Sequence, residues 1–222
     1  MDESMITTLI ILGSLVLITV IVLLIKHFEK KRREALEAVA IAMGLVFSAK
    51  PDENLLPSLG QFPLFSMGHS KKIKNLMQGT VKRMKILLFD YKYTTGGGKN
   101  SHTHQQTVML VQSDVIQLPS FSLKPEHVFH KIGKKFGYQD INWESHPAFS
   151  DKYLLRAADV EACRSVFTEK VLEYYEQRPG LSTEASGDKL LFFRTSKKVK
   201  PEVYPDFLKD GLHIFALFSK RR

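Results

Sequence analysis

The stretch Val81-Lys82-Arg83-Met84-Lys85-Ile86-Leu87-Leu88-Phe89-Asp90-Tyr91-Lys92-Tyr93 decides the fold. Leu87, Phe89, Tyr91 and Tyr93 alternate with Ile86 and Leu88, so a strand here carries apolar side chains on both of its faces. Such a strand belongs in the middle of a sheet, with other elements covering it from either side. Residues 73–77 are also of strand type, and Gly79 reads as the joint between the two strands. After Tyr93 the run Thr94-Thr95-Gly96-Gly97-Gly98-Lys99-Asn100-Ser101 reads as a flexible loop centred on Gly96, Gly97 and Gly98. Residues 102–112, with Thr107, Val108, Leu110 and Val111, then return as the next strand, and an antiparallel meander is the simplest connection.

Helical signals surround this sheet. Pro125 opens a helix through Phe136, with Val128, Phe129 and Ile132 on one side and Gly137 as its stop. Asp159 suits the N-cap of a helix over residues 160–177, in which Cys163, Val166, Phe167, Val171 and Tyr174 recur at helical spacing. Pro201 starts a last helix striped with Phe207, Leu208, Ile214, Phe215 and Phe218. Between them, residues 153–157 read as a short strand, and residues 182–185 and 189–194 flank the hairpin signal Ser186-Gly187-Asp188. The expected class is α+β, an antiparallel sheet packed by about three helices.

Ahead of that domain, residues 5–25 carry no charge, and their only interruptions are Thr7, Thr8, Gly13, Ser14 and Thr19. Twenty-one helical residues rise roughly 30 Å, the thickness of the hydrocarbon core of a bilayer. A cleaved signal peptide competes with this reading, but Asp2 and Glu3 stand where its basic leader belongs, and no small-x-small cleavage site follows. Lys26, Lys30, Lys31, Arg32 and Arg33 come directly after the apolar run, whereas residues 1–4 hold no Lys or Arg. That bias predicts a single-pass protein of the cell membrane, with residues 1–4 outside, a span at 5–25, a basic juxtamembrane helix at 26–48 and a cytoplasmic domain at 49–222. The single cysteine, Cys163, agrees with a reducing compartment. Across 222 residues, 44% hydrophobic composition excludes disorder as the main state, and 32 Lys and Arg against 23 Asp and Glu give a net charge of +9.

Leu88-Phe89-Asp90-Tyr91-Lys92-Tyr93-Thr94-Thr95, Gln106-Thr107-Val108, Leu118-Pro119-Ser120-Phe121, Lys124-Pro125-Glu126, Gln139-Asp140-Ile141 and Phe149-Ser150-Asp151-Lys152-Tyr153-Leu154-Leu155 resemble an uncharacterised family of bacterial membrane-anchored proteins. The resemblance covers roughly Ala38 onward. It implies one domain behind an amino-terminal anchor and brings no catalytic residues with it.

No spacing in the chain defines a reaction or a cofactor, and none is expected. Lys99 after the glycine run imitates a phosphate loop, but Tyr93 holds the position of the first Walker glycine and Asn100 that of the magnesium-binding hydroxyl. His102 and His104, two apart on a strand, share a face and are the candidate metal ligands, with Asp90 or His69 as a third; nothing in the sequence places either nearby, and a polar loop exit explains both histidines without a metal. His127 and His130 lie three apart, without the HExxH pattern. Cys163 falls on an apolar stripe, where core packing accounts for it, and the acids Asp140, Glu144 and Asp151 suit ion pairs or caps as well as catalysis.

Charge carries the more concrete signal. Lys71, Lys72, Lys74, Lys82, Arg83 and Lys85 would gather on one hairpin folded about Gly79, a few tens of residues after the juxtamembrane set Lys30, Lys31, Arg32 and Arg33. Anionic lipid, an acidic protein and nucleic acid compete as targets, against a purely solvated ribbon. Tethering favours lipid, since it concentrates the bilayer surface around any patch that can reach it. The expected function is a membrane-tethered interaction module serving the bilayer and a protein partner. The alternatives are a membrane-anchored hydrolytic or metal-assisted enzyme using His102, His104 and Asp90, and, behind it, a nucleic-acid binder.

Overall fold

A computed structural model describes residues 2–126 and 137–219. Among them, nine strands form one antiparallel sheet. They are β1 (Val46–Ser48), β2 (His69–Val81), β3 (Met84–Thr95), β4 (His102–Ser113), β5 (Leu118–Pro125), β6 (Gln139–Ile141), β7 (Tyr153–Ala157), β8 (Ser182–Gly187) and β9 (Lys189–Phe193). The first four run as a meander, as the alternation of β3 requires. The order β1-β2-β3-β4-β9-β8-β5-β7-β6 then sets the late hairpin β8–β9 between β4 and β5. The helices are α1 (Glu3–Ala42), α2 (Pro63–Ser66), α3 (Pro147–Lys152), α4 (Val160–Val166), α5 (Glu169–Glu176) and α6 (Tyr204–Ser219).

The two apolar faces of β3 become two cores. Ile86 and Leu88 join Met109, Phe192, Leu36, Ala40, Ile214 and Phe215 beneath α1 and α6. On the other face Leu87, Phe89, Tyr91 and Tyr93 join Val108, Phe193, Phe62, Leu64 and Phe65, covered by the segment around α2. Gly211 lets α6 lie flat on the sheet, because a Cβ there would meet the Met109 sulfur at 2.2 Å.

Several expectations change. The hairpin turns not at Gly79 but at Lys82 and Arg83, with Val81 paired to Met84, while Gly79 lies inside β2 opposite Ile86. Lys82 takes the positive φ of 53° that the tight turn needs. The helix after Asp159 breaks at Phe167 and Thr168, where extended backbone at Thr168 starts α5, although Asp159 caps α4 as expected by accepting from Ala162 N at 2.9 Å. The juxtamembrane segment 26–48 is helical only to Ala42, and Val46–Ser48 pairs with β2 as an edge strand. Pro125 closes β5 opposite Tyr153; the rest of the helix expected there, with His127 and His130, lies at residues 127–136, outside the described residues.

The apolar run and the basic segment are one unbroken helix. Residues 7–25 of α1 are exposed on it, whereas Leu36 and Ala40, three and four turns further on, are completely buried in the domain core. Thr7, Thr8 and Thr19 each donate to the carbonyl four residues earlier at 2.8 Å, and Ser14 to Ile11 O at 2.7 Å, so their hydroxyls leave no bare polar group on the apolar cylinder. The helix is long and apolar enough to cross a bilayer.

Cys163 is fully buried, and burial pushes its thiol up to about 12. We expect no reaction with a maleimide at neutral pH in the folded protein and complete reaction in denaturant, read by mass spectrometry; labelling of the folded chain would mean that α4 opens.

Candidate functional site

Asp90 and Lys92 follow Ile86 and Leu88 along the helix-covered face of β3. Opposite them across β2 stand Lys74 and Lys72, and across β4 stand Thr107 and Gln105. The sheet therefore presents a polar end beyond its apolar middle, and α1 runs over that end with Lys26, Glu29, Lys30 and Arg33, spaced three and four apart on one stripe.

Asp90 fastens the two together. Arg32 donates to it twice, Nε to Oδ2 and the guanidinium NH2 to Oδ1, both at 2.8 Å. Asn75 Nδ2 donates to Oδ2 at 3.0 Å and Thr107 Oγ1 to Oδ1 at 3.1 Å, with Tyr204 OH 3.5 Å from Oδ1. Asn75 reaches it because β2 bulges between Lys74 and Met77, with Asn75 at a φ of 53°, a conformation that Asn adopts more readily than most residues. Burial favours the protonated carboxyl, but the Arg32 guanidinium and the Asn75 amide outweigh it and hold Asp90 below its usual range. Donors from α1, β2, β4 and α6 thus converge on one carboxylate.

Around this pair opens a cleft of about 560 Å³ between α1, the polar end of β2, β3 and β4, and the segment leading into α6. Nine of its fifteen lining residues are Lys or Arg, against two carboxylates, Glu29 and Asp90. Both carboxylates are already committed: Asp90 to Arg32, and Glu29 to Lys74 at 2.8 Å. Lys26, Arg33, Lys50, Lys72, Lys92 and Lys198 form no ion pair among the described residues. Lys198 lies below its usual range because of partial burial, which outweighs the pull of Asp90; the Arg32 and Lys74 cations push the same way as burial. The cleft is thus a concave, under-compensated cationic surface, suited to holding an anion.

The predicted basic residues divide accordingly. Lys30, Arg32, Arg33, Lys72 and Lys74 line the cleft. Lys71 instead donates to Phe65 O at 2.8 Å on the other side of β2. Lys82, Arg83 and Lys85 sit at the opposite end of the hairpin, where Arg83 pairs with Asp114. Ten residues at about 3.3 Å each put Lys82 roughly 30 Å from Lys72, so the six hairpin cations form two groups rather than one ribbon. Lys31 is exposed on α1. Sequence reasoning missed Lys26, Lys50, Lys92 and Lys198; of these, only Lys26 carried a readable signal, its helical spacing from Glu29, Lys30 and Arg33.

The trio His102, His104 and Asp90 does not come together on the sheet. His104 shares the face of Tyr93, on which it stacks at 4.8 Å, and its ring nitrogens lie 2.9 Å from Thr95 Oγ1 and 3.0 Å from Ser196 Oγ. Asp90 points to the opposite face, toward α1 and α6, so it cannot meet His102 and His104 at one atom. Among the described residues no three His, Cys, Asp or Glu side chains gather as a metal set. Gly96, with a φ of 77°, packs against Asn100, and its carbonyl lies 3.1 Å from His69 Nε2, which ties this loop to β2.

No family model and no curated protein matches the chain. Its class is set by architecture: a nine-stranded antiparallel α+β domain borne on a long amino-terminal helix. The crystal structure of the mycobacterial trehalose monomycolate transport factor A, TtfA, is similar, with a TM-score of 0.61 at 11% identity over 86% of this chain and 92% of that one. At that identity the likeness shows a common fold.

Proposed function

We propose that this protein is a membrane-tethered interaction module, with residues 5–25 of α1 crossing the bilayer, the amino terminus outside, and the α+β domain on the cytoplasmic side. One observation carries the reading: the exposed apolar helix continues without a break into turns buried in the domain core, at Leu36 and Ala40. A helix that does not break cannot act as a swivel, so the domain stands at a fixed height and tilt over the membrane. The basic residues after Ile25 favour the cytoplasmic side, and they bring anionic lipid, and a protein partner recruited there, within reach of the domain. The protein with the similar structure is named a transport factor.

Extraction and protection test the tether. The full chain should stay in the pellet when membranes are washed with alkaline carbonate, and a tag after Arg222 should become protease-sensitive only once cells are permeabilised. Release into the carbonate supernatant, or digestion of the tag in intact cells, would overturn the reading.

A further inference from the structure

The cleft between α1 and the polar end of the sheet is a chemical site as well as a charged surface. Its lining on α1 runs from Lys26 to Arg33, the first two turns after Ile25, where the uncharged run ends. At 1.5 Å per residue these side chains stand roughly 2–12 Å beyond the hydrocarbon edge if the apolar run fills the bilayer, the depth at which lipid phosphates lie. The sheet wall opposite contributes Lys72 and Lys92, cross-strand partners whose ammonium groups face the cleft together. Lys50 and Lys198 supply further cations from the two remaining walls. A second feature separates this surface from a simple basic patch: its two carboxylates are already hydrogen-bonded, Asp90 by four donors and Glu29 by Lys74, and they are too few to balance the cations around them.

We propose that this cleft binds the phosphorylated headgroup of one anionic lipid, drawn from the leaflet that α1 enters. The inference rests on the membrane-tethered reading and deepens it, naming the ligand class and the residues that hold it. Lys72, Lys92 and Arg33 contact the phosphate from two sides, while the Arg32–Asp90 pair forms a rigid floor. A lipid is favoured over a nucleic acid because the mouth lies beside the membrane-entering helix. It is favoured over free phosphate because the acyl chains of a bound lipid would continue along the exposed apolar turns of α1.

Native mass spectrometry of the full chain in a nonionic detergent tests this, with dioleoyl phosphatidylglycerol, dioleoyl phosphatidylcholine, inorganic phosphate and a short single-stranded DNA as probes. The expected result is saturable retention of one phosphatidylglycerol, with phosphatidylcholine bound about tenfold or more weakly, given the attraction each interfacial cation contributes. The double variant Lys72→Glu/Lys92→Glu should weaken retention about tenfold or more, because attraction is replaced by repulsion on both sides of the phosphate. The pair Lys82→Glu/Lys85→Glu, at the far end of the hairpin, should retain lipid like the parent. Equal binding of phosphatidylcholine, tighter binding of DNA, phosphate competing as well as lipid, or a Lys82/Lys85 effect as large as the Lys72/Lys92 effect would each overturn the proposal. Both variants must unfold at the parent's midpoint; if Lys72→Glu/Lys92→Glu does not, Lys72→Gln/Lys92→Gln replaces it with the same expected loss of selectivity. The measurement needs no bilayer, so loss of the tether in the carbonate assay and loss of lipid here are separate outcomes.

Discussion

Replacing Asp90 with Asn in the full chain is expected to cost about 3–5 kcal/mol of stability, read as the urea midpoint of the fluorescence of Trp143, the single tryptophan. The magnitude follows from burial. Arg32 and Asp90 have side chains only 16% and 10% exposed, and their two parallel hydrogen bonds are the strong, charge-assisted kind. Removing the negative charge leaves a largely buried guanidinium without its partner, while Asn75, Thr107 and Tyr204 compete for one remaining acceptor oxygen. Adding Arg32→Met to Asp90→Asn should recover much of the loss, because the stranded cation is gone and Asn75 can turn its amide to accept from Asn at 90. If Asp90→Asn unfolds within about 0.5 kcal/mol of the parent, as an ordinary surface change would, the carboxylate does not join α1 to the sheet.

The same pair predicts a pH response. Asp90 has a lower pKa in the folded state than its ordinary value of 3.8. Its contribution is therefore complete above that ordinary value and is lost as pH falls through the lower folded value. The parent should lose stability on acidification below about pH 4, and Asp90→Asn should lack that part of the slope. An identical acid slope in both proteins would assign the response to other carboxylates.

Lys124→Met is the second large effect, again about 3–5 kcal/mol by the same measurement. Lys124 and Glu184 are 2% and 0% exposed, with Nζ 2.8 Å from Oε1. The ammonium makes no hydrogen bond of acceptable angle, so the contact is chiefly coulombic, supported by the Phe193 ring at 5.8 Å. Glu184 also accepts from Leu64 N at 3.0 Å and from Ser122 Oγ at 3.3 Å, which pins α2 over the second core. Without Lys124 the buried carboxylate keeps those two donors but loses its counter-charge. Lys124→Met with Glu184→Gln should be milder than Lys124→Met alone, since the amide oxygen can still accept from Leu64 N. Glu184→Leu, by contrast, should speed proteolysis between residues 57 and 67, where α2 loses its tie. A midpoint unchanged in Lys124→Met would remove this pair from the account of stability.

Much of this molecule is legible in sequence. The alternation at 86–93 requires a strand covered on both faces, because side-chain direction along a strand depends only on residue number. The exposed apolar helix, the Asp159 cap, the β8–β9 hairpin and the packing of Cys163 likewise follow from short-range pattern. What tertiary structure alone decided is which segments meet. The wedging of β8 and β9 between β4 and β5, and the strand role of β5 itself, depend on which sheet edges remain free after the meander forms. The burial of Lys124 follows from that placement, and composition alone argues against it. The cleft needs Lys26, Lys50, Lys92 and Lys198 brought together across 172 residues of chain separation by the Arg32–Asp90 contact, a union that no local spacing encodes. Periodicity is a property of neighbours along the chain and survives in a single segment; a charged cavity is a property of several segments at once, and exists only when their long-range pairing is complete.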